Sequence, residues 1–111
     1  MPIEVWLAER TEPQRRAAEA VLGFLRRHKG LIVEAVSVGI LIKRDRTIIE
    51  MRPKQRWLDL SFVTPEAIES DRIARALEIA DAKVYYVRLA DETDVDRELR
   101  RWLTAALRTA R

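Results

Sequence analysis

Residues able to do covalent or acid–base chemistry are sparse in this chain. Cysteine is absent and histidine occurs once, as His28. That removes disulfides, thiolate nucleophiles and cysteine-ligated metal, and one histidine cannot build a multi-histidine zinc site. A serine nucleophile needs a base within reach, yet His28 sits in the basic run Arg26-Arg27-His28-Lys29, where it reads as a solvated helix-end residue. Glu50 and Asp59 fall on one predicted sheet face. Arg52 and Arg88 beside them point to a cross-strand ion-pair ladder rather than to paired catalytic carboxylates. A nuclease using Asp, Glu and Lys wants an Asp ahead of Glu-x-Lys on adjacent strands, but Glu50-Met51-Arg52 has arginine in place of lysine. Gly23, Gly30 and Gly39 are isolated, so there is no glycine-rich phosphate loop. The expectation is a binding protein without metal or cofactor.

The basic residues offer binding chemistry instead. Lys and Arg number 21 against 18 Asp and Glu, a net charge of +3. The charge comes in blocks: residues 26–56 are strongly basic, 59–98 strongly acidic, and the C-terminal stretch basic again. Most of the bases are arginine, which suits planar, bidentate ion pairs and phosphate contacts. Lys43, Arg44 and Arg46 fall at one predicted turn, and Arg52, Lys54 and Arg56 flank the next. Consecutive turns of a meander lie at opposite sheet ends, so these six form two clusters rather than one stripe. Strand alternation puts Leu41, Ile48, Trp57, Val84 and Tyr86 on the outer sheet face beside Lys43, Arg52 and Arg88. Aromatics interleaved with arginine can stack bases and bind phosphate. They also suit a homodimer or protein interface, which ranks first because it needs no external ligand.

The elements that must position these residues follow from local patterns. At 111 residues, 48% hydrophobic and 35% charged, the chain suits one domain over 1–111. No apolar run is long enough to span a membrane. The opening Met-Pro-Ile-Glu-Val-Trp lacks the basic start of a secretory signal, so the expected location is cytoplasmic. Thr11-Glu12-Pro13-Gln14 starts a helix with a capping box, Ala17, Ala18, Val21, Leu22 and Leu25 form its apolar stripe, and Gly30 supplies a left-handed stop. Three strands are predicted next: one from Leu31 in which Val36, Val38, Ile40 and Ile42 alternate with polar or outward residues, Thr47–Arg52, and Trp57–Phe62. Thr64-Pro65-Glu66 and Ser70-Asp71 signal helix between Thr64 and Ala80, in one piece or two. Lys83–Leu89 is a fourth strand. Thr93 to Asp96 opens a last helix, with Asp96 at the reciprocal capping position and Val95, Leu99, Trp102, Leu103, Ala106 and Ala110 on one face. The fold class is α+β: helix, three-stranded antiparallel meander, helix, strand, helix, with helices packed on a mostly antiparallel sheet. Leu58, Leu60, Phe62, Val87, Leu89, Leu99 and Leu103 are expected to share one core.

Several motifs resemble those of a bacterial family, domain of unknown function 5655. They are Trp6-Leu7-Ala8 before a helix, Pro53-Lys54 followed by Trp57-Leu58-Asp59-Leu60, Tyr86-Val87-Arg88-Leu89, and Asp94 to Leu99 followed by Trp102-Leu103. The resemblance implies the same element order and carries no catalytic residues, although some similar proteins are attached to nuclease-like domains. Met1-Pro2-Ile3-Glu4-Val5 and Glu9-Arg10-Thr11 look like the start of tautomerase-superfamily proteins, which implies Pro2 as an amino-terminal base. The glycine usual after the glutamate is missing, and the similarity ends after the first helix start. The readings therefore stand in this order: an interaction module that self-associates or binds a protein, a nucleic-acid-associated module using the basic hairpin, and a Pro2 tautomerase.

Overall fold

The computed structural model describes residues 1–109. Its elements are α1 (Ile3–Ala8), α2 (Glu12–Leu25), β1 (Ile32–Val36), β2 (Gly39–Lys43), β3 (Thr47–Pro53), β4 (Leu58–Thr64), β5 (Ile73–Ile79), β6 (Ala82–Leu89), a 3-10 turn (Glu92–Asp94) and α3 (Arg97–Thr109). The protein is α+β, with six strands in one sheet ordered β1-β2-β3-β4-β6-β5, every neighbouring pair antiparallel.

The period-two pattern of the strands becomes rows across the sheet. Ala35, Ile40, Met51, Leu60, Val87 and Ile73 are successive partners over all six strands, and Val33, Ile42, Ile49, Phe62, Tyr85 and Ala76 form the next inward row. Trp6 of α1, Ala17, Val21 and Leu25 of α2, and Leu99, Leu103 and Ala106 of α3 join these rows in one buried cluster. Trp102 stacks on Phe62 with ring centroids 6.1 Å apart. All seven residues expected in a single core are buried in it. The helices thus share one face of the sheet, and no described element covers the other.

The start of α2 forms as its sequence dictates. The Thr11 hydroxyl accepts from the Gln14 N–H at 3.3 Å, and the Gln14 side chain accepts from the Thr11 N–H at 3.4 Å. α2 ends at Leu25 with Arg26 as its C-cap, earlier than expected, and Gly30, at φ 78°, makes the left-handed bend of the following turn that leads into β1. Gly39 is needed for a different reason: a Cβ there would overlap the Met51 carbonyl oxygen on the neighbouring strand.

Four expectations need correction. The helix between Thr64 and Ala80 does not form; residues 73–79 are strand β5, which pairs with β6 through a two-residue turn at Ala80-Asp81. The free edge of β6 offers a full ladder of backbone partners, and that tertiary pairing overrides the helix preference of Ala, Leu, Glu and Arg. The single strand from Leu31 to Lys43 is two strands, β1 and β2, folded on Ser37-Val38. Ile48 is not an outer-face residue in simple alternation: Ile42 opposes Ile49 and Lys43 opposes Thr47, so Ile48 is the extra residue of a bulge and is buried. Asp96 caps α3 directly, accepting from the Leu99 N–H at 3.0 Å, rather than reciprocating another cap. A short helix, α1, precedes the first predicted one. Ala110, assigned to the apolar face of α3, lies outside the described residues.

Candidate functional site

The outer face of the sheet is built from the strand residues that alternate with the core rows. Glu34, Leu41, Glu50, Ser61, Tyr86 and Arg75 are partners in one row across all six strands. On one side of this row Arg52, Asp59 and Arg88 are neighbours. On the other, Val63, Val84 and Leu77 are neighbours. The face is therefore polar and aromatic at one end and aliphatic at the other.

On this face Glu34, Glu50 and Asp59 each have a basic partner, whereas Arg75 and Arg88 lie over aromatic rings. Glu50 pairs with Arg52 and, at the polar end, Lys54 with Asp59 at 3.9 Å, while Lys43 pairs with Glu34 at 3.4 Å toward the aliphatic end. The Trp57 indole N–H donates to Asp59 at 2.7 Å, while the Arg88 guanidinium lies 4.5 Å from the centroid of the Trp57 ring. Arg75 covers Tyr86 at 5.2 Å. The expected cross-strand ion-pair ladder of Glu50, Arg52, Asp59 and Arg88 does not form: Arg52, Asp59 and Arg88 are neighbours in one row, but Arg52 pairs with Glu50 on its own strand, Asp59 with Lys54, and Arg88 uses the aromatic face of Trp57. At the aliphatic end a groove of about 510 Å³ is lined by Ile48, Val63, Ile79 and Val84, with Arg46 and Asp81 among its polar residues. Ile79 is 60% exposed.

A buried glutamine, read in the sequence only as part of a helix cap, positions Trp57. Gln14 is 4% exposed, and its side-chain amide donates to the carbonyls of Lys54 at 2.6 Å and Trp57 at 3.2 Å. This ties the start of α2 to the β3–β4 turn that carries Lys54 and Arg56. The six hairpin bases do separate into two clusters at opposite sheet ends. Arg44 is structural: its guanidinium donates to the carbonyl of Leu107 at 2.8 Å and to that of Lys29 at 3.4 Å, fastening the last turn of α3 to the segment after α2.

Arg72 is the main polar anchor that sequence reasoning missed. Its guanidinium donates to Asp96 at 2.8 Å, Glu98 at 3.3 Å and the Asp94 carbonyl at 2.7 Å, and lies 5.8 Å from the Trp102 ring centroid. Burial alone lowers the Arg72 pKa, but hydrogen bonds and charge from Asp96 and Glu98 outweigh it and hold the guanidinium above its ordinary value. Desolvation pushes the Asp96 carboxyl up. The Leu99 N–H and Arg72 overcome that and leave Asp96 below the usual carboxylate value. Hydrogen bonds from the Thr93 side chain and backbone lower Asp91 likewise.

Candidate catalytic residues are not brought together. His28 is half-buried after α2, with its ring against Phe24 at 5.3 Å and its Nδ1 without a hydrogen-bond partner. Pro2 is exposed at the N-cap of α1, where its carbonyl accepts from the N–H groups of Val5 and Trp6, both at 3.2 Å. Among the described residues no group of three His, Asp or Glu side chains is placed to hold a metal, and no helix is long and apolar enough to cross a membrane. No family model, curated protein or solved structure matches the chain, so its own residues carry the functional argument.

Proposed function

We propose that this protein is a non-enzymatic interaction module that self-associates by packing the outer sheet face against the same face of a second copy. The observation that carries this reading is the uncovered sheet face, aliphatic at one end and, at the other, with its carboxylates paired to bases and Arg88 laid over Trp57. A symmetric interface brings each residue near its own copy or that of a neighbour, so an unbalanced face would repel itself. The pairs Glu34–Lys43, Glu50–Arg52 and Lys54–Asp59 are already compensated within one chain. Six strands about 4.8 Å apart and about seven residues long at ~3.3 Å each span a projected area of ~550 Å². Side-chain relief raises the accessible area toward the ~800 Å² per partner of ordinary protein interfaces. Trp57, Tyr86 and Arg88 supply the residue types that anchor such interfaces, and the groove between Val63, Ile79 and Val84 supplies the apolar seat.

Sedimentation velocity over a concentration series tests the proposal. The expected result is a species of about twice 12.9 kDa that dissociates on dilution. A 12.9 kDa species throughout, up to about 100 μM where even weak specific dimers assemble, would remove self-association as the function.

A further inference from the structure

The opposite side of the molecule has the reverse character. Arg97, Arg100, Arg101 and Arg108 lie on the exposed surface of α3, at helical spacing with Thr104 between them. The eleven steps from Arg97 to Arg108, at about 1.5 Å each, make this stripe ~16 Å long. Arg26 and Arg27 follow the end of α2, and Arg27 and Arg100 line, together with Glu19, one groove of about 300 Å³ between the two helices. None of these six arginines pairs with a described carboxylate within 4.0 Å. Arg100 instead lies 5.9 Å from the centroid of the Phe24 ring.

Helix stability explains part of the set and not the rest. Arg26, Arg27 and Arg108 sit at or near helix C-termini, where cations offset the dipole. Arg97 is the first residue of α3, with Arg100 and Arg101 one turn on, at the end where the dipole disfavours positive charge. The acids nearest in sequence, Asp96 and Glu98, are engaged by Arg72, and Glu19, which lines the same groove as Arg27 and Arg100, forms no ion pair with either within 4.0 Å. The apolar face of α3, with Leu99, Trp102, Leu103, Ala106 and Leu107, is buried in the core. This leaves no hydrophobic face for insertion into a lipid interface, which amphipathic membrane helices require.

We infer that the exposed surface of α2 and α3 is a nucleic-acid backbone site, with Arg97, Arg100 and Arg101 as its centre. A ~16 Å stripe faces about five phosphates along one strand of a duplex, at 3.4 Å of axis per phosphate. Arginine matches phosphate oxygens bidentately. The contacts are to the backbone, so recognition is independent of sequence. The bases at the β3–β4 turn are a weaker candidate, because Arg52 and Lys54 are already paired to Glu50 and Asp59.

Fluorescence anisotropy with a labelled duplex of about 20 base pairs, at ~50 mM salt, tests the site. The native chain is expected to bind at micromolar concentration and to weaken about a thousandfold by ~200 mM salt, as six phosphate contacts require. The triple substitution Arg97→Ala, Arg100→Ala, Arg101→Ala should weaken binding roughly tenfold or more and reduce the salt slope by about 2.7, with the far-ultraviolet circular dichroism unchanged. Arg52→Ala, Lys54→Ala, Arg56→Ala together should leave affinity within about twofold. The inference is overturned by no binding of the native chain at tens of micromolar, by loss in the hairpin variant rather than the helix variant, or by equal affinity for polyglutamate or phosphatidylserine vesicles. A monomeric chain that still binds duplex would remove the self-association proposal and leave this site standing.

Discussion

The two exposed faces of the protein differ in how their charges are compensated. On the outer sheet face Glu34, Glu50 and Asp59 each have a basic partner in the same chain, and the remaining arginines Arg75 and Arg88 lie over the rings of Tyr86 and Trp57. On the helical layer six arginines have no such partner among the described residues, and three stand at the helix end that disfavours them. A matched surface can lose its water against a copy of itself without stranding charge. An unmatched one repels its copy and attracts a polyanion. The same composition, near neutral in sum, thus prepares one face for a like partner and the other for an unlike one.

The comparison is broken most forcefully by charging the neutral face. Val84→Asp puts a carboxylate in the apolar seat and is expected to weaken the dimer about a hundredfold or more, while Arg101→Asp on the helical layer leaves the sedimentation mass unchanged. Equal effects from the two would show that the faces are not distinct. Because Val84 is accessible in the single chain, its substitution should shift the monomer melting temperature little.

The next largest effect tests the sheet that carries the neutral face. Gly39→Ala forces a methyl group into the Met51 backbone and should cost about 2–3 kcal/mol in urea unfolding. The helical counterpart is Arg72→Ala, which strips hydrogen-bond donors from Asp96, Glu98 and the Asp94 carbonyl and should cost about 2 kcal/mol. Asp96 is held below its ordinary 3.8, so the folded state favours its ionised form. Its stabilising contribution is complete above 3.8 and is lost as pH falls below that value through the lowered one. Asp96→Asn should therefore flatten the acid limb of the stability profile, and an unchanged limb would assign it to other carboxylates. The smallest expected effect is a gain: Ala80 has φ 54°, and Ala80→Gly should stabilise the β5–β6 hairpin by about 0.5–1 kcal/mol in thermal unfolding.

Much of this was legible in the sequence because it rests on local chemistry. The Thr11–Gln14 box, the left-handed Gly30, the alternation of Leu58, Leu60 and Phe62, and the buried face of α3 each follow from spacing alone. The β1–β2 and β5–β6 hairpins were not legible, since their turns lack the usual residues. Ser37-Val38 and Ala80-Asp81 contain no glycine or asparagine, so β1 merged with β2 in the reading and β5 passed for a helix. The separation of the hairpin bases into two clusters was readable from the alternation of turns. The unmatched arginines were visible as residues, but their isolation from carboxylates depends on where the strands carry the acids. Arg72 likewise reaches Asp96 across a gap of sequence that no local pattern encodes.

Concentration-dependent amide shifts of uniformly ¹⁵N-labelled protein test the sheet-face interface most directly. Dilution from about 1 mM to about 20 μM spans the range in which a micromolar dimer dissociates. The amides of Glu50, Ser61, Val84 and Tyr86 are predicted to shift with dilution while those of Arg97, Arg101 and Thr104 stay fixed. Shifts confined to the helical layer, or no concentration dependence at any amide, would contradict an interface on the open face of the sheet.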